Sequence, residues 1–330
     1  MDFKAQFKQQ LLGKPSDFTQ MALSLFRYQA QYNVVYKEYL QNLNIQPGQI
    51  KNLEQIPFLP IEFFKQQKVA TGNFEPEVTF QSSGTTQQTR SKHYVADLAW
   101  YNHVTKHIFE HFYGPLEQFV VLALLPSYLE QGGSSLVAMV DYFVNQTRQS
   151  EEGFYLHNRK KLHQTIDAAR GRGKKVLLIG VSYALLDWAE ELRGNYSFSG
   201  VTLMETGGMK GRHREMVREE LHSFLKKGFG VDKIHSEYGM TELLSQGYSM
   251  GDGIFKPGQT MQILLRDLND PFDIGAHHRS GGINVIDLAN IDSCAFIETK
   301  DIGRMHTEGT FEVLGRFDNS DIRGCNLLVV

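Results

Sequence analysis

Ser82, Ser83, Gly84, Thr85 and Thr86 stand in a row, with Arg90 and Lys92 a few positions further on. Hydroxyls and free backbone N–H groups are donors suited to phosphate oxygens. Glycine admits a close approach, and the two cations add charge. The same residues also favour a plain Ser/Thr-rich turn, so the stretch taken alone supports either reading. It is not a Walker A loop, which needs GxxxxGK[ST] running into a helix. The Gly-Lys cluster of GRGKKVLLIG, residues 171–180, precedes its strand and reads as the stop of a helix.

Three further segments carry chemistry. In TLMETGGMKGRHRE a short apolar strand meets Gly207 and Gly208. A glycine pair there allows a flat ring to pack on the backbone, or is simply a strand-to-helix turn. In IHSEYGMTELL, Tyr238 offers a flat face for stacking, beside Gly239 and Met240. Thr241 supplies a hydroxyl, and Glu242 a hard oxygen ligand suited to Mg²⁺ beside a phosphate. In IETKDIGRMHTEGTFEVLGRFDNSDIRGCN, Asp301 can accept from a ribose diol. An Arg–acid pattern follows at Arg316, Asp318, Asp321 and Arg323.

The elements that must position these residues are readable from hydrophobic period. Residues 1 to about 55 read as helical, with Met21, Leu25, Tyr28, Tyr32, Tyr36 and Leu40 spaced as one helical stripe. IPFLPIEFFK, broken by two prolines, reads as a linker. From about residue 78 strands alternate with helices. VTF opens on the hydroxyl loop, LAWYNHVTKHIFEHFYG is a helix closed by Gly114, and FVVLALL and KKVLLIGV are nearly continuous apolar strands. Such runs imply a mostly parallel sheet covered on both faces, with ligands at the carboxyl ends of its strands. The last 75 residues carry short β-type runs, so a β-rich subdomain is expected over 256–330, beside an α/β core over 78–255 and a helical part over 1–77. All three are expected to form one adenylating domain once the motifs below are taken together.

Composition narrows the class. An apolar fraction of 41%, a charged fraction of 22% and a net charge of -3 describe a globular chain without the positive footprint nucleic acid requires. No apolar run approaches the length of a membrane span, and the first residues lack a signal-peptide core. Two cysteines, Cys294 and Cys325, are no disulfide framework, and the expected location is the cytoplasm. His103, His107 and His111 share a helical face but span too far for one ion, about 12 Å at 1.5 Å per residue. LLPSYLEQGGSSLVAMV, residues 124–140, is the expected wall of a substrate pocket, and Ser182 lacks the second glycine of a nucleophile elbow.

The order SSGTT, TGG, YGMTE, TKDIGR, GRFDNSDIRG resembles the adenylate-forming superfamily of acyl- and aryl-CoA ligases, luciferases and peptide-synthetase adenylation domains. The resemblance runs from about residue 78 to 326, and YGMTE and GR-x-D are its most specific parts. It implies that Ser82 to Thr86 hold the phosphates of ATP and that Gly207 and Gly208 line the adenine pocket. It further implies that Tyr238 stacks on adenine, Thr241 contacts the α-phosphate and Glu242 holds Mg²⁺, while Asp301, with Arg316 close by, binds ribose. Where the family has Gly-x-Pro-Lys, this chain has QQTRSK, which leaves the phosphate-binding base open between Arg90 and Lys92. The family's C-terminal lid domain and its lysine are expected to be absent, because the sequence stops at Val330.

Within that superfamily the SSGTT loop, EYGMTE and the RGC ending are most similar to the LuxE-like acyl-protein synthetases of bacterial bioluminescence operons. That likeness implies activation of a long-chain fatty acid and transfer of the acyl group to a cysteine, carried over to Cys325. It also implies delivery to an acyl-CoA reductase-type protein partner. Arg323 could lower the pKa of that thiol; the bland reading of Cys325 is an inert terminal cysteine. Two rival expectations stand beside this one: a CoA ligase of the phenylacetate type, and a non-catalytic nucleotide-binding scaffold of a reductase complex.

Overall fold

The chain's computed structural model describes residues 2–13, 17–82, 89–126, 133–147, 153–207 and 216–317. Three helices open it: α1 (Phe3–Leu11), α2 (Phe18–Tyr32) and α3 (Val34–Asn42). The α2 stripe buries Met21, Leu25 and Phe26, and the Asn33 side chain caps α3 by accepting from the Tyr36 N–H at 3.0 Å. Strand β1 (Leu59–Pro60) and helix α4 (Phe63–Gln66) follow. The proline-broken stretch expected as a linker therefore supplies a short strand, parallel to a strand near the C-terminus.

Next come β2 (Val78–Gln81), β3 (Lys92–Val95), α5 (Leu98–Tyr113), β4 (Phe119–Leu124), α6 (Ser135–Thr147) and β5 (Gly153–Phe154). After them lie α7 (Arg159–Gly171), β6 (Lys175–Val181), α8 (Ser182–Leu192), β7 (Val201–Thr206), α9 (Arg218–Phe229) and β8 (His235–Tyr238). Helix α5 starts where Asp97 accepts from the Trp100 N–H at 2.8 Å, and ends at Gly114, whose φ of 82° suits a residue without a side chain. The remaining strands are β9 (Gly247–Ser249), β10 (Ile254–Pro257), β11 (Met261–Arg266), β12 (Ser280–Asp287), β13 (Phe296–Met305) and β14 (Phe311–Arg316).

Strands β5, β4, β6, β7 and β8 lie side by side in that order, all parallel. Every residue of β4 is buried and only Lys175 of β6 is exposed, as continuous apolar runs require when helices cover both faces. From β4 the chain moves outward to β5, then returns past β4 to β6 and continues the other way. With right-handed crossovers α6 therefore covers one face and α7, α8 and α9 the other. The reversal between β4 and β6 is a topological switch point, where a crevice opens at the strands' carboxyl ends.

The β-type runs of the last 75 residues form strands as expected. Strands β11 to β14 are antiparallel and continue the same sheet, joined to the parallel part through β10 and β9. Helices α2 and α3 cover them: Phe26 and Tyr36 both pack on Phe296, with ring centroids 5.8 Å and 6.1 Å away.

One expectation is corrected. VTF does not belong to the parallel sheet: β2 pairs antiparallel with β3 in a separate two-stranded sheet, Val78 opposite Val95 and Gln81 opposite Lys92. The hydroxyl run thus joins the strands of a hairpin rather than following a parallel strand. Four residues of strand pattern look alike in both settings, and only long-range pairing distinguishes them.

Candidate active site

A cleft of about 540 Å³ sits at the switch point. Each parallel strand around it contributes its carboxyl end: Leu125 and Pro126 after β4, Val181 and Tyr183 at β6, Thr206 and Gly207 at β7, and Gly239 to Leu243 after β8. The β2–β3 hairpin brings Gln81, Ser82, Thr89 and Ser91 to the same opening. Ser134 to Val137 and Met139, at the start of α6, form the wall expected from residues 124–140. The hairpin and this wall are fastened together, because the Gln81 N–H donates to the Gly133 carbonyl at 2.7 Å.

The segment after β8 carries Thr241 and Glu242 and is tethered from several directions. The Thr241 carbonyl lies 2.8 Å from Nδ1 of His93 on β3. Burial holds the His93 imidazole down at about 4, so the ring is neutral near pH 7 and Nδ1–H donates to that carbonyl. The Glu242 carbonyl accepts from Asn290 Nδ2 at 2.7 Å. Asp287, wholly buried, accepts from the Leu244 and Ser245 N–H groups at 2.7 Å and 3.0 Å. These tethers come from β3, β12 and the turn after β12, none of them adjacent to residues 241–245 in sequence. None of the three showed in the sequence pattern: each is a single polar residue in a buried segment.

Glu242 lines the cleft yet is only 5% exposed. Burial raises its carboxyl above the ordinary value, and no basic side chain lies within ion-pair distance of it among the described residues. Ser91 bonds this carboxyl, and Arg316 and Lys65 act on it only from beyond ion-pair distance, which fits a place for a hard cation.

The other expected site residues divide. Ser82 lines the cleft, its Oγ accepting from the Ser91 N–H at 3.0 Å. Gly207 lines it in the left-handed region, φ 76°, and its carbonyl accepts from Ser182 Oγ at 2.8 Å. Gly239, Met240, Thr241 and Arg316 also line it. Ser83, Gly84, Thr85, Thr86, Gly208 and Cys325 lie outside the described residues. Arg90 and Lys92 are exposed and do not line the cleft. The basic side chains that do are Lys65 from α4, Lys300 from β13 and Arg316 from β14. Lys65 went unrecognised in the sequence because it stands far from any hydroxyl or glycine run, and Lys300 because its neighbour Asp301 carried the reading of TKDIGR.

Tyr238 is placed differently from the expected stacking face. It is 7% exposed and does not line the cleft. Its ring meets Phe255 and Phe311 edge-on, at 5.9 Å and 5.3 Å, and its hydroxyl donates to Asp301 Oδ2 at 2.9 Å. Asp301 in turn pairs across β13 and β14 with Arg316, whose Nε is 3.9 Å from Oδ1. The expected ribose-side residues are therefore brought together, with Tyr238 behind them. Cys294 is fully buried, and burial pushes its thiol up to about 12, as expected of a core cysteine. The face of α5 carrying His103, His107 and His111 does not reach the cleft.

This architecture, a parallel sheet flanked by helices and extended by antiparallel strands with its cleft at the switch point, is shared with solved structures of larger enzymes. One solved structure that shares it is an open conformation of 2-hydroxyisobutyryl-CoA ligase in complex with 2-HIB-AMP and CoA. It has a TM-score of 0.65 at 12% identity, covering 91% of this chain and 74% of that one. An ATP-bound RpMatB-BxBclM chimera matches with a TM-score of 0.55 at 13% identity, over 74% of this chain and 49% of the other. Apo MatB from Rhodopseudomonas palustris gives 0.52 at 13% identity, over 72% and 47%. This chain thus spans about half the length of the latter two. At such identities the likeness is one of fold. No family model and no curated protein matches the sequence.

Proposed function

We propose that this protein activates a carboxylic acid with ATP, forming an acyl adenylate and pyrophosphate, and then passes the acyl group to a thiol. The observation that carries the reading is the tethered Thr241–Glu242 segment, which lines the cleft at the switch point beside the Ser82 hairpin that holds it. The fold agrees with it: the 2-hydroxyisobutyryl-CoA ligase structure holds an acyl-AMP, and the chimera holds ATP.

In this reading a carboxylate oxygen of the acid attacks the α-phosphorus, and the bond to pyrophosphate breaks. The Ser82 and Thr241 hydroxyls and the cations of Lys65, Lys300 and Arg316 stabilise charge building on the phosphate oxygens. Glu242 would hold Mg²⁺, which supplies Lewis-acid stabilisation to those oxygens. Asp301 and Arg316 serve the ribose end, and Gly207 admits the ring. In the second step a thiolate attacks the carbonyl carbon and AMP leaves, which conserves the activated acyl group as a thioester.

The acid we favour is a long-chain fatty acid, and the acceptor Cys325, with an acyl-CoA reductase-type protein as the next recipient. Leu125, Leu136, Val137, Met139 and Val181 offer apolar wall for a hydrocarbon portion. Coenzyme A is the alternative acceptor, since the 2-hydroxyisobutyryl-CoA ligase structure holds it beside the adenylate. Intact-protein mass spectrometry after incubation with ATP and acid, run without and with coenzyme A, separates the two. An acyl adduct on the protein, lost in Cys325→Ser, supports the cysteine. An unmodified protein with acyl-CoA formed in its place assigns the acceptor role to coenzyme A.

A further inference from the structure

Glu237 was not singled out by the sequence, being hidden beside Tyr238 in EYGMTE. Successive residues of β8 face opposite ways: Tyr238 packs into the core behind Asp301, whereas Glu237 lines the cleft. One carboxyl oxygen, Oε2, accepts from Thr206 Oγ1 at 2.5 Å. The other, Oε1, lies over Gly239, where a Cβ would come within 2.3 Å of it. Oε1 has no hydrogen-bond donor and no cation near it among the described residues.

Gln246 flanks the same glycine, its Cγ 3.7 Å from where that Cβ would be. Its Nε2 donates to the Leu244 carbonyl at 3.0 Å, but its Oε1 has no partner, although the side chain is only 3% exposed and lines the cleft. Two acceptors without donors therefore stand together on one floor of the cleft. A buried acceptor such as Gln246 Oε1 is unfavourable when left unpaired, whereas the half-buried Glu237 carboxyl opens onto the cleft. Burial, aided by the Glu205 carboxylate and opposed by the Thr206 hydroxyl bond, pushes the Glu237 carboxyl up to about 7.

We propose that Glu237, seconded by Gln246, recognises a hydrogen-bond donor on the acid substrate, a hydroxyl or amino group beyond its carboxyl. This rests on the acid-activating reading and sharpens it: an unsubstituted alkyl tail would leave both acceptors unpaired. Phosphate groups cannot be the occupant, being acceptors and anions themselves. The remaining donors under that reading are those of ATP, the adenine amino group and the ribose hydroxyls, and the experiment separates them from the acid.

ATP–pyrophosphate exchange is measured with matched acids, each unsubstituted acid against its hydroxyl- and amino-substituted counterparts. The wild type is expected to prefer a substituted acid by ~100-fold or more in kcat/KM, as sites that pair a substrate donor do. Glu237→Ala is expected to bring the preference to within about threefold, through a raised KM for the substituted acid and an unchanged KM for ATP. Glu237→Gln keeps the volume and an acceptor for Thr206, and it too should lose most of the preference; thermal unfolding midpoints verify that both variants are folded. Equal or better use of unsubstituted acids by the wild type overturns the proposal alone. A raised KM for ATP with acid preference intact assigns the donor to the nucleotide and also overturns it. Exchange with no acid at all overturns the acid-activating reading together with it.

Discussion

Replacing Asp287 by asparagine perturbs the candidate site without touching the cleft. Its Oδ2 accepts from the backbone of Leu244 and Ser245; its Oδ1 accepts from Ser245 Oγ at 2.5 Å and the Ala289 N–H at 3.1 Å. An asparagine must turn its amide nitrogen toward one pair. Facing Leu244 and Ser245 it orphans two buried N–H donors. Facing the other side it orphans Ala289, while the Ser245 hydroxyl can rotate to accept. The second choice is cheaper, yet it still loses one buried bond and the charge that strengthened the others. With about 1–3 kcal/mol for the orphan and about 1 kcal/mol more for the lost charge assistance, the expected cost is roughly 2–4 kcal/mol. Urea unfolding followed by the fluorescence of Trp100 and Trp188 reads it as a lower midpoint at constant slope. A midpoint corresponding to less than about 0.5 kcal/mol would refute the idea that this carboxylate holds residues 241–245 in place.

Three other outcomes follow from the same geometry. His93 is held at about 4 against an ordinary 6.5, so the unfolded chain takes up a proton that the folded one resists. Stability should therefore fall as pH drops from 6.5 to 4, by roughly 3 kcal/mol from this residue, and His93→Gln should remove that share of the slope in urea titrations across the window. Glu242→Ala should leave the unfolding midpoint unchanged or raised, because a buried carboxylate without a cation is removed, while exchange falls by about a hundredfold or more; exchange at the wild-type rate would show that Glu242 holds no metal. Lys65→Ala and Lys300→Ala should each raise KM for ATP several-fold, with Arg90→Ala and Lys92→Ala as comparisons expected to change it less; the reverse order would return the phosphate-binding role to the hairpin.

The layout of the fold was legible where the sequence carries a local period. Continuous apolar runs became β4 and β6, the helix after the hairpin ended at Gly114, and the β-type runs near the C-terminus became β11 to β14. What escaped was set by contacts between distant segments. The hairpin partner of β2 lies beyond the hydroxyl loop, and a strand of four residues carries no mark of parallel or antiparallel pairing. Lys65 and Lys300 enter the cleft from α4 and β13, and the tethers of Thr241 and Glu242 come from His93 and Asn290. Tyr238 and Glu237 show the limit most simply. The motif drew notice to the aromatic ring, but strand alternation turns that ring into the core and presents its acidic neighbour to the cleft.

The central claim is that this cleft joins a carboxylate to AMP. Incorporation of labelled pyrophosphate into ATP, with and without added carboxylic acids, tests it most directly. The account predicts exchange that requires both the acid and Mg²⁺ and is lost on removing the Thr241 and Glu242 side chains. Exchange independent of any acid, or none with acids of every class, would contradict it.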